Sequence, residues 1–214
     1  MKRNLPLILL LIGLIIFGGV YFFIRGKAGK NNLEEDETAL IEVSLEDRPI
    51  TLLIPSEDGH WLKMRIEKLK IEAKSMDYEL LYQFPDPDTG DSKTAGVPGS
   101  IILDGIEEIE RDLLMGSESS GKYRYDEGVT GGTLTLRFRN DKGQLLTKFV
   151  SDFNIYVNEK ELASGDGKFS YTLKNIPRGV YFVAMDTFGV GEIEKAAIRE
   201  DNYAIFASSD IKLD

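Results

Sequence analysis

The sequence predicts a mainly β chain, an antiparallel β-sandwich preceded by one N-terminal transmembrane helix. Three observations predict it. An uncharged, almost wholly apolar run fills residues 5–24. Beyond residue 40, apolar residues recur with a period of two in one short segment after another. Gly- and Pro-marked reversals separate several of these segments, as hairpins require.

The apolar run, "LPLILLLIGLIIFGGVYFFI", has twenty residues. At about 1.5 Å per residue it matches the roughly 30 Å hydrocarbon core of a bilayer. It is longer than the ~7–15 apolar residues of a cleaved signal peptide. A small-x-small triplet, Gly26-Lys27-Ala28, follows it, but in a basic stretch, so the reading is an uncleaved anchor. Tyr21, Phe22 and Phe23 stand where an interfacial aromatic belt would be. Lys2 and Arg3 before the span nearly balance Arg25, Lys27 and Lys30 after it. The short basic N-terminus is awkward to export, so the expected orientation leaves it inside and the rest of the chain outside. The expected organisation is an anchor at 1–25, a polar linker at 26–39 and an extracytoplasmic domain at 40–214. The linker, within "GKAGKNNLEEDET", holds Leu33 as its only large apolar residue and reads as a solvated spacer.

Within the domain each strand is read from its alternation. Ile41, Val43 and Leu45 alternate with Glu42 and Ser44; Tyr78, Leu80, Tyr82 and Phe84 alternate in "YELLYQF". Leu134, Leu136 and Phe138 share one face of "TLTLRFR", and Phe153, Ile155 and Val157 one face of "FNIYV". Phe169, Tyr171 and Leu173 do the same in "FSYTL", and Tyr181, Val183 and Met185 in "YFVAM". "NDKG" (140–143), "SGDG" (164–167) and "IPRG" (176–179) are the reversals. Two segments fit both periods. "WLKMRIEKLKIEA" carries a helical stripe of Leu62, Ile66, Leu69 and Ala73, or a strand whose phase shifts at Lys68. "IEEIERDLLMG" fits a helix ending at Gly116 or a strand. Their strand neighbours favour strands for both. The stretch "PDPDTGDSKTAGVPGS" (85–100) reads as a long loop, inside one domain or between two; one domain is expected.

Charge narrows the partners. All 36 acidic residues follow residue 30, against 21 of the 26 basic ones, leaving a tail of about −15. Such a domain repels phosphate backbones, so no nucleic-acid partner is expected. With no cysteine, thiol nucleophiles, disulfides and anchoring through a lipidated cysteine are excluded. One histidine and no cysteine also exclude a His/Cys zinc site.

The motifs that suggest chemistry mostly fail on context. Gly116 to Lys122 reads G-x-x-x-x-G-K, but Tyr123 stands where a phosphate loop needs Ser or Thr. No helical period follows to place a helix N-terminus at the phosphates. The reading is a polar connection between strands, with Gly116 and Gly121 supplying turn conformations and no nucleotide bound. "DPDTGD" (86–91) offers Asp86, Asp88 and Asp91, but Asp91 and Val97 occupy the positions where an EF-hand needs Gly and Glu. An acidic loop is expected, with weak calcium binding as the alternative. Asp88-Thr89-Gly90 matches an aspartic-protease tripeptide without its second copy. Ser75-Met76 lacks the flanks of a membrane signal peptidase motif. His60, beside Trp61, is the only imidazole available to a Ser-His-Asp triad, and is read as a surface or packing residue. Tyr123 and Tyr125 flank Arg124, either as a contact patch or as one packed ring and one edge-covering ring. No catalytic, cofactor or metal residue is assigned.

"GKFSYTLKNIPRGVYFVAMDTFG" (167–189), through Phe169, Leu173, Pro177, Gly179, Tyr181 and Gly189, resembles a hairpin of transthyretin-like and collagen-adhesin B-type modules of bacterial surface proteins. The resemblance implies an immunoglobulin- or prealbumin-like sandwich used as a stalk or binding module. The functional expectation is a non-enzymatic, membrane-anchored binding or scaffolding module of the cell envelope, with an envelope protein or glycan as ligand. The alternative is an envelope hydrolase of Ser- or carboxylate-based chemistry.

Overall fold

The computed structural model describes residues 40–211 and Leu213. The expected anchor (5–24) and linker (26–39) lie outside the described residues. Thr38–Asp214 forms one compact unit. Fourteen strands and no helix occur among the described residues, so none of these residues forms a helix long and apolar enough to cross a membrane. The fold is mainly antiparallel β.

In chain order, β1 (Ile50–Pro55) and β2 (Trp61–Glu67) form a hairpin. Next come β3 (Ser75–Pro85) and β4 (Ser92–Ile102), a second hairpin, and then β5 (Ile109–Leu114), which pairs back onto β2. β6 (Gly116–Ser119) and β7 (Lys122–Tyr125) pair only with each other. The long hairpin of β8 (Gly131–Arg139) and β9 (Leu145–Val157) is followed by the small pair β10 (Glu161–Ala163) and β11 (Ser170–Thr172). Last are β12 (Tyr181–Asp186), β13 (Ala196–Glu200) and β14 (Tyr203–Ala207). The main sheet has seven strands in the order β13-β14-β12-β9-β8-β3-β4, and the second has three, β1-β2-β5.

These two sheets share one hydrophobic cluster. Leu62, Met64 and Ile66 of β2, with Ile109 and Leu113 of β5, meet Met76, Leu80, Leu134, Leu136, Phe138 and Phe153 of the main sheet. All are buried, and those of β2, β8 and β9, with Leu80 of β3, lie on the faces that the period-two reading assigns to the core. A second cluster lies on the opposite face of the main sheet, where Leu162, Phe169 and Leu173 of the β10–β11 region cover Phe182, Ala184 and Ile205. Strand β12 therefore alternates between two cores, with Val183 and Met185 in the first and Phe182 and Ala184 in the second.

Several expectations are corrected. Residues 41–45 do not form a strand. The Ser44 carbonyl accepts from the amides of Asp47 and Arg48, which closes a turn ahead of Pro49. A single bond from the Ile41 amide to the Leu146 carbonyl ties this segment to β9. β2 ends at Glu67 because Lys68 takes a positive φ of 56°; Leu69, Ile71 and Ala73 still pack on the core, but from irregular backbone. Most of 85–100 is not a loop. Ala95, Val97 and Ile101 turn inward from an eleven-residue strand whose Gly and Pro content masks its period. The stretch 167–189 does not fold on itself, since β11 pairs with β10 whereas β12 pairs with β9 and β14.

The register of the β3–β4 hairpin fixes what its outer edge offers. The Asp86 amide bonds the Asp91 carbonyl, and the Leu103 amide bonds the Lys74 carbonyl. Alternation between these ends points the backbone groups of residues 93, 95, 97, 99 and 101 at β3. The intervening residues turn theirs to the free edge of the sheet, and Pro98, which has no N–H, is one of them.

Two stability predictions follow from this packing. A Cβ at Gly132 would lie 1.9 Å from the Leu81 carbonyl oxygen of the neighbouring strand. Gly132→Ala therefore costs roughly 2–3 kcal/mol and lowers Tm by about 5–10 °C. Gly143→Ala, at a φ of 76° with open space around it, costs about 1 kcal/mol; thermal melts of the two variants give the comparison. The second prediction concerns Asp166, in the turn that joins β10 to β11. Burial raises its pKa, but hydrogen bonds from the Ser164 hydroxyl, the Lys168 amide and the Tyr203 hydroxyl outweigh that and hold the carboxyl down at about 2. A pKa lower in the folded than in the unfolded chain means stability that is complete above about pH 4 and lost as pH falls towards 2. Asp166→Asn flattens that part of the acid stability profile, measured by denaturant titration at a series of pH values.

Candidate functional site

The site begins at the β1–β2 turn. The Ser56 hydroxyl donates to Asp58 Oδ1 at 2.5 Å and accepts from the Trp61 amide at 3.0 Å, while the His60 amide donates to Asp58 Oδ1 at 3.2 Å. The Ser56 hydrogen bond, chiefly, holds the Asp58 carboxyl below its ordinary pKa. Gly59 closes the turn at a φ of 73°, with the ring of Tyr181 lying against it where a Cβ would project. That conformation and that contact both require glycine.

The second half is the β6–β7 hairpin. Ser120 and Gly121 take φ values of 52° and 75°, the two positive angles of a tight two-residue reversal. Gly116 does not serve as a turn residue. It sits in β6 opposite Tyr125, and a Cβ there would lie 2.2 Å from the Arg124 carbonyl oxygen. "GSESSGKYRY" is thus itself a hairpin, with no helix N-terminus behind Lys122. Its base is stitched to the first half, because the Met115 amide donates to the His60 carbonyl and the Asp126 amide to the Met115 carbonyl. Below it the buried Tyr82 hydroxyl donates to Asp126 Oδ2 at 2.8 Å. Burial, with that carboxylate, pushes the Tyr82 phenol well above its ordinary pKa.

Together the two halves make an aromatic row. His60 stacks on Tyr125 with ring centroids 4.0 Å apart and planes 8° from parallel. Tyr123 continues the stack at 6.2 Å and 2°, as same-face neighbours on one strand do. Trp61 meets Tyr123 edge to face at 5.7 Å. Tyr123 is 47% exposed, and the other three rings are half-buried. Both imidazole nitrogens face carboxylates, Nδ1 at 3.3 Å from Asp58 and Nε2 at 3.2 Å from Glu127. A triad base instead needs one nitrogen turned to a nucleophile.

The sequence-level candidates fare unequally. Tyr123, Tyr125 and His60 come together; Trp61 joins them, and Glu127 completes the surround. Nothing local links Trp61 to Tyr123 or Glu127 to His60, since these contacts cross more than sixty residues of chain, though the Tyr-x-Tyr spacing and the His-Trp pair were visible. Asp86, Asp88 and Asp91 form the tight β3–β4 turn. The Asp86 carboxylate pairs with the Lys93 ammonium and accepts from the Asp88 amide. Among the described residues no three His, Cys, Asp or Glu side chains converge to hold a metal ion. Ser75 lies at the start of β3, paired across the sheet with Arg139 and Ile102.

Because Trp61 is the only tryptophan, its fluorescence reports on the row directly. Tyr123→Ala removes the ring packed against it and shifts the emission maximum to longer wavelength, with the fold's far-ultraviolet circular dichroism unchanged. An unmoved maximum would show that Tyr123 does not shield the indole. No protein-family model, curated protein or solved structure matches this chain.

Proposed function

We propose that this protein is a membrane-anchored, envelope-facing β-sandwich of the immunoglobulin or prealbumin kind. In this reading it acts as a non-enzymatic binding or scaffolding module, and the aromatic row is its contact surface. The observation that carries the reading is the row of half-exposed rings, Trp61, Tyr123, Tyr125 and His60, assembled from two separate hairpins. Aromatic side chains give large contact area at small entropic cost and are enriched at recognition surfaces. His60 Nε2 bonds Glu127, and Nδ1 is buried 3.3 Å from Asp58 without a hydrogen bond, so neither nitrogen is turned to a nucleophile, which supports binding over hydrolysis.

The route of the chain also supports it. The first described residues meet the start of β9, at Leu146. The row adjoins Tyr181, which pairs with Val157 at the other end of β9. Eleven residues of strand separate the two, about 35 Å. Residue 40 and the row thus lie at opposite ends of the domain, so the contact surface stands clear of the point where the chain enters it.

Protease shaving tests the topology. Intact cells carrying the full chain with a C-terminal tag are treated with protease, beside lysed cells as control. The tag is lost from intact cells on this reading; protection until lysis would overturn it.

A further inference from the structure

We infer that His60 is a proton-operated latch between the two halves of the aromatic row. It takes a proton at Nδ1, and as an imidazolium it ties the β1–β2 turn to the segment that follows β7. As regulation of a contact surface this rests on the row being that surface; the latch itself does not.

An ionised carboxylate only accepts hydrogen bonds. The 3.2 Å bond between Nε2 and Glu127 Oε1 therefore places a hydrogen on Nε2. A neutral imidazole carries one hydrogen, so Nδ1 is then bare. That nitrogen is buried, makes no hydrogen bond and lies 3.3 Å from Asp58 Oδ2. Two acceptors thus face each other, and a buried polar atom left without a partner is costly. Asp58 is not free to turn away, because its Oδ1 accepts from the Ser56 hydroxyl and from the His60 amide. The imidazole is held as well, stacked on Tyr125 at 4.0 Å and 8°. A proton on Nδ1 converts the opposed acceptors into a charge-assisted hydrogen bond, the stronger kind.

The groups that face the ring come from both halves of the row. Asp58 lies in its own turn, Tyr125 on β7 and Glu127 just after β7. The adjacent Asp126 accepts from the Tyr82 hydroxyl of β3, and Tyr181 of β12 reaches the turn at Gly59. Imidazole is the side chain that changes charge between about pH 8 and pH 5. Asp58, held below its ordinary pKa chiefly by Ser56, stays ionised throughout that range. With the ring neutral, the side-chain link reaches Glu127 alone, and backbone bonds through Met115 join the two halves. With the ring charged, the link spans Asp58, His60 and Glu127, and the row is tighter in acid.

His60 and Trp61 are the only histidine and the only tryptophan, so each gives an unmixed signal. The full chain in detergent micelles is titrated from about pH 8 to about pH 5. Ring-nitrogen NMR shifts follow the protons on His60, and the Trp61 emission maximum follows the row. At the alkaline end the expected ring has a hydrogen on Nε2 and none on Nδ1. At the acid end both nitrogens carry one, and the emission maximum moves to shorter wavelength. Asp58→Asn keeps an oxygen for Ser56 and the His60 amide and turns an amide N–H towards the bare Nδ1. It should hold the acid-form emission maximum across the whole titration. His60→Phe, which keeps a ring on Tyr125 with no proton to gain, should show no shift. A hydrogen on Nδ1 at the alkaline end overturns the latch. So does an emission maximum that stays still while the ring takes its proton, or an equal shift in His60→Phe or Asp58→Asn. Retention on isolated cell envelopes separates the latch from the contact surface. If the titration runs as expected but Tyr123→Ala is retained like the parent chain, the latch stands and the contact surface falls. If Tyr123→Ala abolishes retention but the titration fails, the contact surface stands and the latch falls.

Discussion

The architecture depends on one strand having two buried faces. β12 gives Val183 and Met185 to the larger core and Phe182 and Ala184 to the smaller one, and β14 repeats this with Phe206 and Ile205. A strand buried on one side tolerates water on the other; these two cannot. The β10–β11 pair must therefore cover the main sheet, although it shares no ladder with it. Gly165 permits that approach, since a Cβ there would meet the Asp152 backbone at 2.4 Å. The Asp166 carboxylate then fastens the turn to β14 through the Tyr203 hydroxyl.

The same strand governs the aromatic row. Tyr181 opens β12 and lies against Gly59, so the β1–β2 turn rests on the end of the main sheet. The β6–β7 hairpin has no ladder to either large sheet. It is held instead by backbone bonds through Met115 and by the buried Tyr82 hydroxyl on Asp126. The row thus consists of short, locally stabilised turns supported on a rigid platform, an arrangement that lets a contact surface vary without disturbing a core.

What could be read in advance follows the same physics. Strands with one wet face declare themselves by alternation, and β3, β8 and β9 were legible in this way. β12 was legible as a strand but not as a doubly buried one, although its unbroken run of Tyr, Phe, Val, Ala and Met is what such a strand looks like. β4 was hidden because Gly96, Pro98 and Gly99 are turn residues by composition, and only its pairing with β3 reveals Ala95, Val97 and Ile101 as a face. Tyr78 lies over Gly99 and fills the space that a side chain would otherwise occupy. The hairpin at 116–125 was legible only as a polar connection between strands, because its two strands are four residues each and carry no apolar alternation. Its union with His60 and Trp61 was not legible, because no local pattern encodes a contact between two separate turns.

Pro98 has a consequence for crowding. An eleven-residue strand at the rim of a sheet is a template on which another chain can add itself. Proteins confined to a surface meet at effective concentrations far above those in free solution, and on the proposed tether neighbouring domains would bring such rims together repeatedly. An interruption in the row of donors, midway along the strand, denies any passing rim a continuous ladder. Dense populations of the domain can then stand side by side as separate molecules, each with its aromatic row open.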